Sequence, residues 1–472
     1  MYDICIIGAG VIGSAVARIL SQYKLSIIVL EKENDVCEGT SMANSGLVHS
    51  GYDPKPGTLK AKLNVLGNKL MPEVCKELGV ELKQIGSITV GNDLDVINEL
   101  HERGNANGVE TIILDQKELH QLEPNLNEDL KYGLLAPSCA IINPFEYTVG
   151  LMENAMDNGV ELALNNCVES ITKFDDAYEI NTNIQSYLAK IVINCAGLGS
   201  GKISEMVGRG IEIIPKKGEY YVLGKLPQMF VNHTIFPLPT NVGKGVLITP
   251  TTSNNYLVGP SNTITSDNDL TTDMLTLDSI KEKALKISEK VPLKKEIRVF
   301  AGLRASTNNG DFIIEEDKEN KGFINVLGID SPGLASSYAI GLYVKDIVNN
   351  ITKLEQKDDY IKNRRPFYKL NALSNEERNI LVNKDKRFGN IICRCEKISE
   401  GEIVDTIHRN CGATTIRGVK KRVRPGFGKC QGGFCEPLVL DILHRELNIP
   451  IENIKYSSKN SHILIGRVKE DN

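Results

Sequence analysis

The chain has 472 residues, 41% of them hydrophobic and 24% charged, with a formal net charge of -5. That length exceeds one hydrophobic core and leaves room for two large lobes and a small third domain, while the mild acidity excludes a general affinity for nucleic acid. No apolar run approaches the roughly twenty residues that cross a bilayer, and a strand pattern starts at Asp3, so neither an integral membrane segment nor export is expected and the protein reads as cytoplasmic.

Asp3 to Ile7 is a short apolar run, Gly8-Ala9-Gly10-Val11-Ile12-Gly13 follows at once, Ser14 to Tyr23 has helical periodicity, and Ser26 to Leu30 is a second strand ending at Glu31. This order opens a Rossmann-type unit. Gly8 makes the tight turn, Gly10 lets the backbone approach a pyrophosphate at the helix N-terminus, and Gly13 permits close helix–strand packing. The Glu31 carboxylate is placed to accept hydrogen bonds from an adenosine ribose and argues against a 2'-phosphate. The fingerprint alone leaves FAD and NAD open.

Thr40 to Gly51 is rich in small residues and glycine, which suits a backbone lying against a flat ligand. In Thr40-Ser41-Met42-Ala43-Asn44-Ser45-Gly46-Leu47-Val48-His49 the segment resembles the flavin-contacting stretch of the D-amino-acid-oxidase-like superfamily. Pro56 to Leu63 is most similar to its L-2-hydroxyglutarate dehydrogenase branch, Ile191 to Gly199 resembles its second FAD-side strand and turn, and Gly328 to Ala335 its last flavin-contacting turn. The resemblance spans about residues 1 to 350. It implies FAD, with Thr40, Ser41, Asn44, Ser45, Gly46, Ala196, Gly197, Asp330, Gly333 and Leu334 among the residues that contact it. A helix over Gly333 to Val348 would then point its N-terminus at the pyrimidine end of the flavin, where negative charge collects on reduction.

The superfamily interleaves its two lobes, which implies an FAD-binding lobe over about 1–80, 145–210 and 305–350 and a substrate lobe over about 81–144 and 211–304. Alternation and turn residues mark antiparallel strands at Lys216 to Leu223, Gly245 to Gly259 and Glu296 to Ala305. Arg304 closes the last of these, where the superfamily commonly places an arginine that grips a carboxylate or phosphate bidentately. Lys217 stands where relatives often carry a basic residue facing the same pocket; alternation sends one of Tyr220 and Tyr221 inward. His49, one of seven histidines, suits proton transfer from a secondary alcohol during hydride transfer to a flavin. The hydroxyglutarate branch tends to carry a histidine in the strand that reads Gly245-Val246-Leu247-Ile248-Thr249-Pro250 here, so this chain departs from it.

From Ile351 to Asn390 the composition turns charged and helix-prone, broken at Arg364-Arg365-Pro366, as in a linker or strap over 351–390. Of the 11 cysteines, four then fall close together as Cys393-Arg394-Cys395 and Cys430 to Cys435. An all-thiolate set suits either a structural zinc or an iron–sulfur cluster. Zinc ligands usually come as C-x2-4-C knuckles, so C-x-C followed by C-x4-C favours iron–sulfur, with zinc as the alternative. With Thr415 to Arg422 and Gly426 to Cys435, the segment from about 391 to 447 resembles the bacterioferritin-associated-ferredoxin type of 2Fe-2S domain, which folds as short helices around its cluster. Arg417, Lys420, Lys421, Arg422, Arg424 and Lys429 are interrupted by no acid; they read as compensation for a negative cluster, as a solvated face, or as a docking surface for an acidic redox partner. An odd cysteine count without a signal peptide argues against a disulfide framework, and the scattered cysteines read as small core residues. A polar tail over 448–472 carries one apolar patch, Ile463-Leu464-Ile465, expected to pack on a neighbouring lobe.

The expected fold is thus α/β: a Rossmann-type FAD-binding domain interleaved with an antiparallel-sheet substrate domain, plus a small helical iron–sulfur domain. The expected function is FAD-dependent dehydrogenation of a small anionic 2-hydroxy compound, glycerol 3-phosphate or a 2-hydroxy acid. Single electrons would leave through the 2Fe-2S cluster to a redox partner protein or quinone-linked acceptor. The shared arrangement of flavin lobe and cluster domain resembles the anaerobic glycerol-3-phosphate dehydrogenase large subunit. Alternatives are an oxidase that makes peroxide with a structural cluster, an amine or amino-acid dehydrogenase, and an electron-transfer subunit of a larger complex; under each reading a hetero-oligomer is open, as is a peripheral place at the membrane through a partner.

Overall fold

The computed structural model describes residues 1–239, 245–266 and 269–466. Strand β1 (Tyr2–Ile7), helix α1 (Val11–Leu20) and strand β2 (Ile27–Leu30) form the expected unit. Helix α1 starts at Val11, three residues before the periodicity suggests, because Gly10 already serves as its N-cap. Ile4, Cys5 and Ile6 are fully buried, as expected of a parallel strand covered on both faces. β1 pairs in parallel with β2 on one side and with β3 (Ser186–Asn194) on the other. The hairpin of Val168–Phe174 and Ala177–Thr182 pairs the first half of β3, and Phe323–Leu327 pairs its end in parallel. The ends of β1 and β3 therefore meet, with Cys195 N donating to Ile7 O at 2.9 Å.

A second, nine-stranded sheet carries the other lobe. Its longest pairing is antiparallel, between β4 (Ile214–Leu223) and β5 (Glu296–Ser306), from Ile214 opposite Ser306 to Leu223 opposite Glu296. The stretch expected as strand from Gly245 to Gly259 divides into a hairpin, Leu247–Pro250 against Tyr256–Gly259. Thr251 N donates to Asn255 O and Asn254 takes φ 63°, so the chain must turn there. One face of this sheet packs Tyr221, Leu223, Ile248 and Val258 beneath the helix Met274–Leu285.

Helix α2 (Gly333–Ile351) returns across α1. The segment read as a linker is a strap pinned along its length. Lys24 N donates to Glu355 O and Lys357 N to Gln22 O, each at 2.8 Å. Arg364 is buried and donates to Glu153 at 3.0 Å and to the Leu78 carbonyl at 2.9 Å. Beyond it come a short strand pair, Ile391–Cys393 with Ile398–Ser399, and the helices Glu400–Ile407, α3 (Ile416–Val423) and Glu436–Leu447. Ile392, Val419 and Leu443 belong to the same continuous apolar core as Ile4 and Ile193. The C-terminal module is fused to the first lobe rather than tethered to it.

The tail does fold back, and of its apolar patch Leu464 packs against the core shared with the first lobe. Ile454 is fully buried and Asn34 donates to the Ser457 carbonyl, whereas Ile465 is 100% exposed; residues 467–472 of the expected tail lie outside the described residues. All 11 cysteines are free, and of the seven outside the clustered set six are buried, Cys167 being exposed. Among the described residues no helix is long and apolar enough to cross a membrane.

Candidate functional site

A cavity of about 1060 Å³ opens above the meeting ends of β1 and β3 and extends beneath the second sheet. Its floor is the glycine turn. Gly8 takes φ +104°, and a Cβ on Gly13 would lie 1.9 Å from Gly8 O, so the turn and the helix can touch only through glycine. Gly8 and Gly10 line the cavity; Gly13 lies behind it and shapes it. The Glu31 carboxylate accepts from Ala9 N at 2.7 Å and from Glu33 N at 3.0 Å, which fixes the turn while the side chain still faces the cavity. Burial raises the Glu31 pKa, opposed by these two backbone donors.

The next wall is the segment from Glu38 to Ser45. Ser41 Oγ accepts from Val11 N at 2.9 Å, Asn44 Nδ2 donates to Ser41 O at 2.8 Å, and Asn44 Oδ1 accepts from Gly46 N at 2.8 Å. Thr40 Oγ1 donates to the Leu303 carbonyl, tying the loop across β5. Thr40, Ser41, Asn44 and Ser45 face the cavity, while Gly46 sits behind them. Ala196 and Gly197 line it at the end of β3; Asp330, Gly333 and Leu334 line it at the start of α2. Asp330 is held by Lys60 at 2.6 Å and by the Ser306 hydroxyl at 2.8 Å.

His49 lines the cavity with its ring 5.9 Å from that of Phe236, and Asn64 Nδ2 donates to its carbonyl at 2.7 Å. Arg304 also lines it, lying over Gly218, where an added Cβ would come 2.5 Å from the guanidinium. The expectation for Lys217 is corrected. It projects from the opposite face of β4, buried against Asp269 at 2.8 Å, the Thr271 carbonyl at 3.0 Å and Glu219 at 3.5 Å. The hydrogen bond to Asp269 leads the causes that raise the Lys217 pKa. Lys216 lines the cavity instead, directly across from Arg304 in the strand register. Tyr220 shares that face and stacks on Phe300 at 4.9 Å, while Tyr221 enters the core behind. Lys216-Lys217-Gly218 carries no local signal for the choice; the face is set where Gly218 leaves room for Arg304 of the paired strand.

The four cysteines come together as two pairs. Cys395 Sγ lies 3.6 Å from Cys430 Sγ, and Cys393 meets Cys435. The hydrogen bond from Cys435, with help from the backbone N–H groups of Gly426 and Glu396, lowers the Cys393 pKa to about 6, against the effect of burial. Cys435 is raised correspondingly. Among the described residues no three metal-binding side chains gather around one ion position. Two thiol pairs with backbone donors on sulfur fit a two-iron group better than a lone zinc.

The basic stripe has no single role. Lys421 and Arg422 are buried against acids of the first lobe: both Arg422 Nη atoms bond Asp35 at 2.9 Å, and Lys421 Nζ reaches Asp35 at 2.9 Å and Glu38 at 2.7 Å. Arg424 bonds Glu396 at 3.4 Å and, with Lys420, covers the Phe427 ring. Burial lowers the Lys420 pKa to about 8. Lys429 is exposed beside Cys430, and Arg417 lines the large cavity, a placement no local pattern announces.

Compared with known proteins, residues 3–347 match the family described as FAD dependent oxidoreductase, and residues 391–445 match the BFD-like [2Fe-2S] binding domain. The chain is 48% identical over 478 residues to a glycerol 3-phosphate dehydrogenase of Caloramator mitchellensis, with 100% of each chain covered. It is 34% identical to a glycerol 3-phosphate oxidase of Mycoplasma genitalium, over 76% of this chain and 97% of that one. The FAD-bound L-alpha-glycerophosphate oxidase of Mycoplasma pneumoniae superposes with a TM-score of 0.74 at 29% identity, over 78% of this chain and 99% of that one. The chain accordingly carries FAD and a 2Fe-2S cluster.

Proposed function

The chain belongs to the family of FAD dependent oxidoreductases and oxidises a hydroxy compound, and on that premise we propose that its substrate is glycerol 3-phosphate. The observation that carries this reading is the cation pair on β4 and β5. Arg304 and Lys216 stand opposite one another in the strand register and face the same cavity as His49. A phosphate monoester carries close to two negative charges at neutral pH. Arg304 grips two of its oxygens with a planar fork, and Lys216 adds a second positive charge without competing for that geometry. The match to the Caloramator protein over the full chain supports the same substrate.

With the phosphate held there, the secondary hydroxyl presents its proton to His49, whose ring packs near Phe236. Histidine takes a proton near neutral pH and returns it to solvent after the ketone leaves. FAD supplies a two-electron hydride acceptor and the 2Fe-2S cluster a one-electron carrier. Their presence in one chain favours a dehydrogenase that hands single electrons to a partner protein or quinone-linked acceptor. The similarity to the two mycoplasma oxidases supports a second reading, in which dioxygen takes the electrons directly.

Anaerobic titration tests the substrate, and peroxide under air separates the two readings. Glycerol 3-phosphate should bleach the flavin absorbance, whereas L-2-hydroxyglutarate and amino acids should not. Bleaching by 2-hydroxyglutarate with none by glycerol 3-phosphate would overturn the substrate. Stoichiometric peroxide under air without any added acceptor would favour the oxidase.

A further inference from the structure

Arg417, Ser457 and Ser458 of the C-terminal module line the flavin cavity, although the flavin motifs all lie in the first 350 residues. They reach it because α3 is docked on the segment leading into the flavin wall. Arg422 is locked to Asp35, and Lys421 bonds Glu38, itself a lining residue. The first turn of α3 then presents Arg417, whose Nη1 lies 3.7 Å from Met42 Sδ and whose guanidinium is 5.7 Å from the Tyr456 ring. Met42 follows Ser41, which bonds the Gly10 turn through Val11 N. On the other side, Ser457 is held by Asn34, just past Glu31. Arg417 thus enters between the end of the cavity marked by Glu31 and the loop that closes on the glycine turn. That is the stretch along which the diphosphate of a dinucleotide runs.

Charge points the same way. Glu31, Glu33 and Glu38 line this end of the cavity, and a diphosphate adds further negative charge. Glu38 already has Lys421. Arg417 contacts a thioether and an aromatic ring, and among the described residues no carboxylate pairs with it. A guanidinium lining a cavity without a carboxylate is suited to bind a phosphate ester in bidentate fashion. We propose that Arg417 is an FAD-binding residue that grips the cofactor's diphosphate, so that the iron–sulfur module closes the flavin site. By linkage, FAD then strengthens the docking of that module as much as docking strengthens FAD binding. Because the contact concerns FAD alone, it holds whichever alcohol is the substrate.

The test uses the full chain with its cluster loaded. Arg417→Ala should weaken FAD binding at least tenfold, about 1.4 kcal/mol, read from the flavin fluorescence recovered on dilution, while iron and sulfide content stay at the wild-type level. ADP, which carries the diphosphate, should lose affinity for the flavin-free protein by a similar factor; riboflavin, which lacks it, should bind as before. Arg417→Lys should recover part of the loss. FAD affinity within twofold of wild type would overturn the assignment. So would an equal loss for ADP and riboflavin, which would make Arg417 a packing residue. Should the alanine variant lose its cluster, Arg417→Gln keeps bulk and hydrogen bonding without charge, and the same ADP and riboflavin comparison decides.

Discussion

Replacing Asp35 by asparagine tests whether the cluster module is docked by charge. Both Asp35 oxygens are occupied: Oδ1 accepts from Arg422 Nη2 at 2.9 Å and from Val36 N at 2.8 Å, and Oδ2 accepts from Arg422 Nη1 and Lys421 Nζ, each at 2.9 Å. The Arg422 side chain is 0% exposed and that of Asp35 5%. Removing one member of a buried pair costs about 3–5 kcal/mol, because the other charge is left uncompensated. The low end applies, since Arg422 keeps the Cys411 and Gly418 carbonyls and Lys421 keeps Glu38. A loss of about 3 kcal/mol corresponds to roughly a hundredfold faster amide hydrogen exchange in α3 at neutral pH, if the module opens locally. Burial by itself would raise the Asp35 carboxyl, but Arg422 and Lys421 outweigh it and hold it well below the usual carboxylate range. The contribution is therefore fully present above the unfolded pKa of about 4 and is lost as pH falls below it toward the folded value. Asp35→Asn should flatten that acid dependence. Exchange of α3 within threefold of wild type, with the acid dependence unchanged, would refute docking by this pair.

Gly218→Ala places a Cβ 2.5 Å from an Arg304 Nη and 2.9 Å from Pro260. The guanidinium must swing aside, so KM for glycerol 3-phosphate should rise about tenfold, about 1.4 kcal/mol, with FAD content unchanged. Arg304→Ala should raise KM further, and an unchanged KM in both variants would remove this arginine from the substrate site. Cys430→Ser should leave substrate bleaching of the flavin intact while abolishing reduction of the downstream acceptor. Surviving acceptor turnover would mean that electrons leave by another way.

Local requirements made much of the molecule legible. The positive φ at Gly8, the touching of Gly13 and Gly8, and the acid at the end of β2 are conditions on residues close in the chain, so they are written as a pattern. The thiol spacing is written in the same way, and the chemistry of its four donors narrows what they bind. The alternation of β4 was also legible, but not its phase. Lys216 and Lys217 are equally good strand residues, and only the pairing with β5, where Gly218 yields space to Arg304, decides which of them meets the cavity. The hairpin inside the stretch 245–259 turns after Pro250 through Ser253-Asn254-Asn255, with Asn254 at positive φ.

The nucleotide-binding unit and the α/β class follow from the residues alone, because each depends on backbone geometry within a few dozen residues. What Lys421 and Arg422 of the basic stripe do became visible in the folded chain alone. Their acids stand at Asp35, 387 residues from Arg422, and at Glu38. A charge run with no local counter-ions looks the same whether it faces solvent, a cluster or a distant carboxylate. Burial of the pair is what separates those cases, and burial exists only once the two ends of the chain have met.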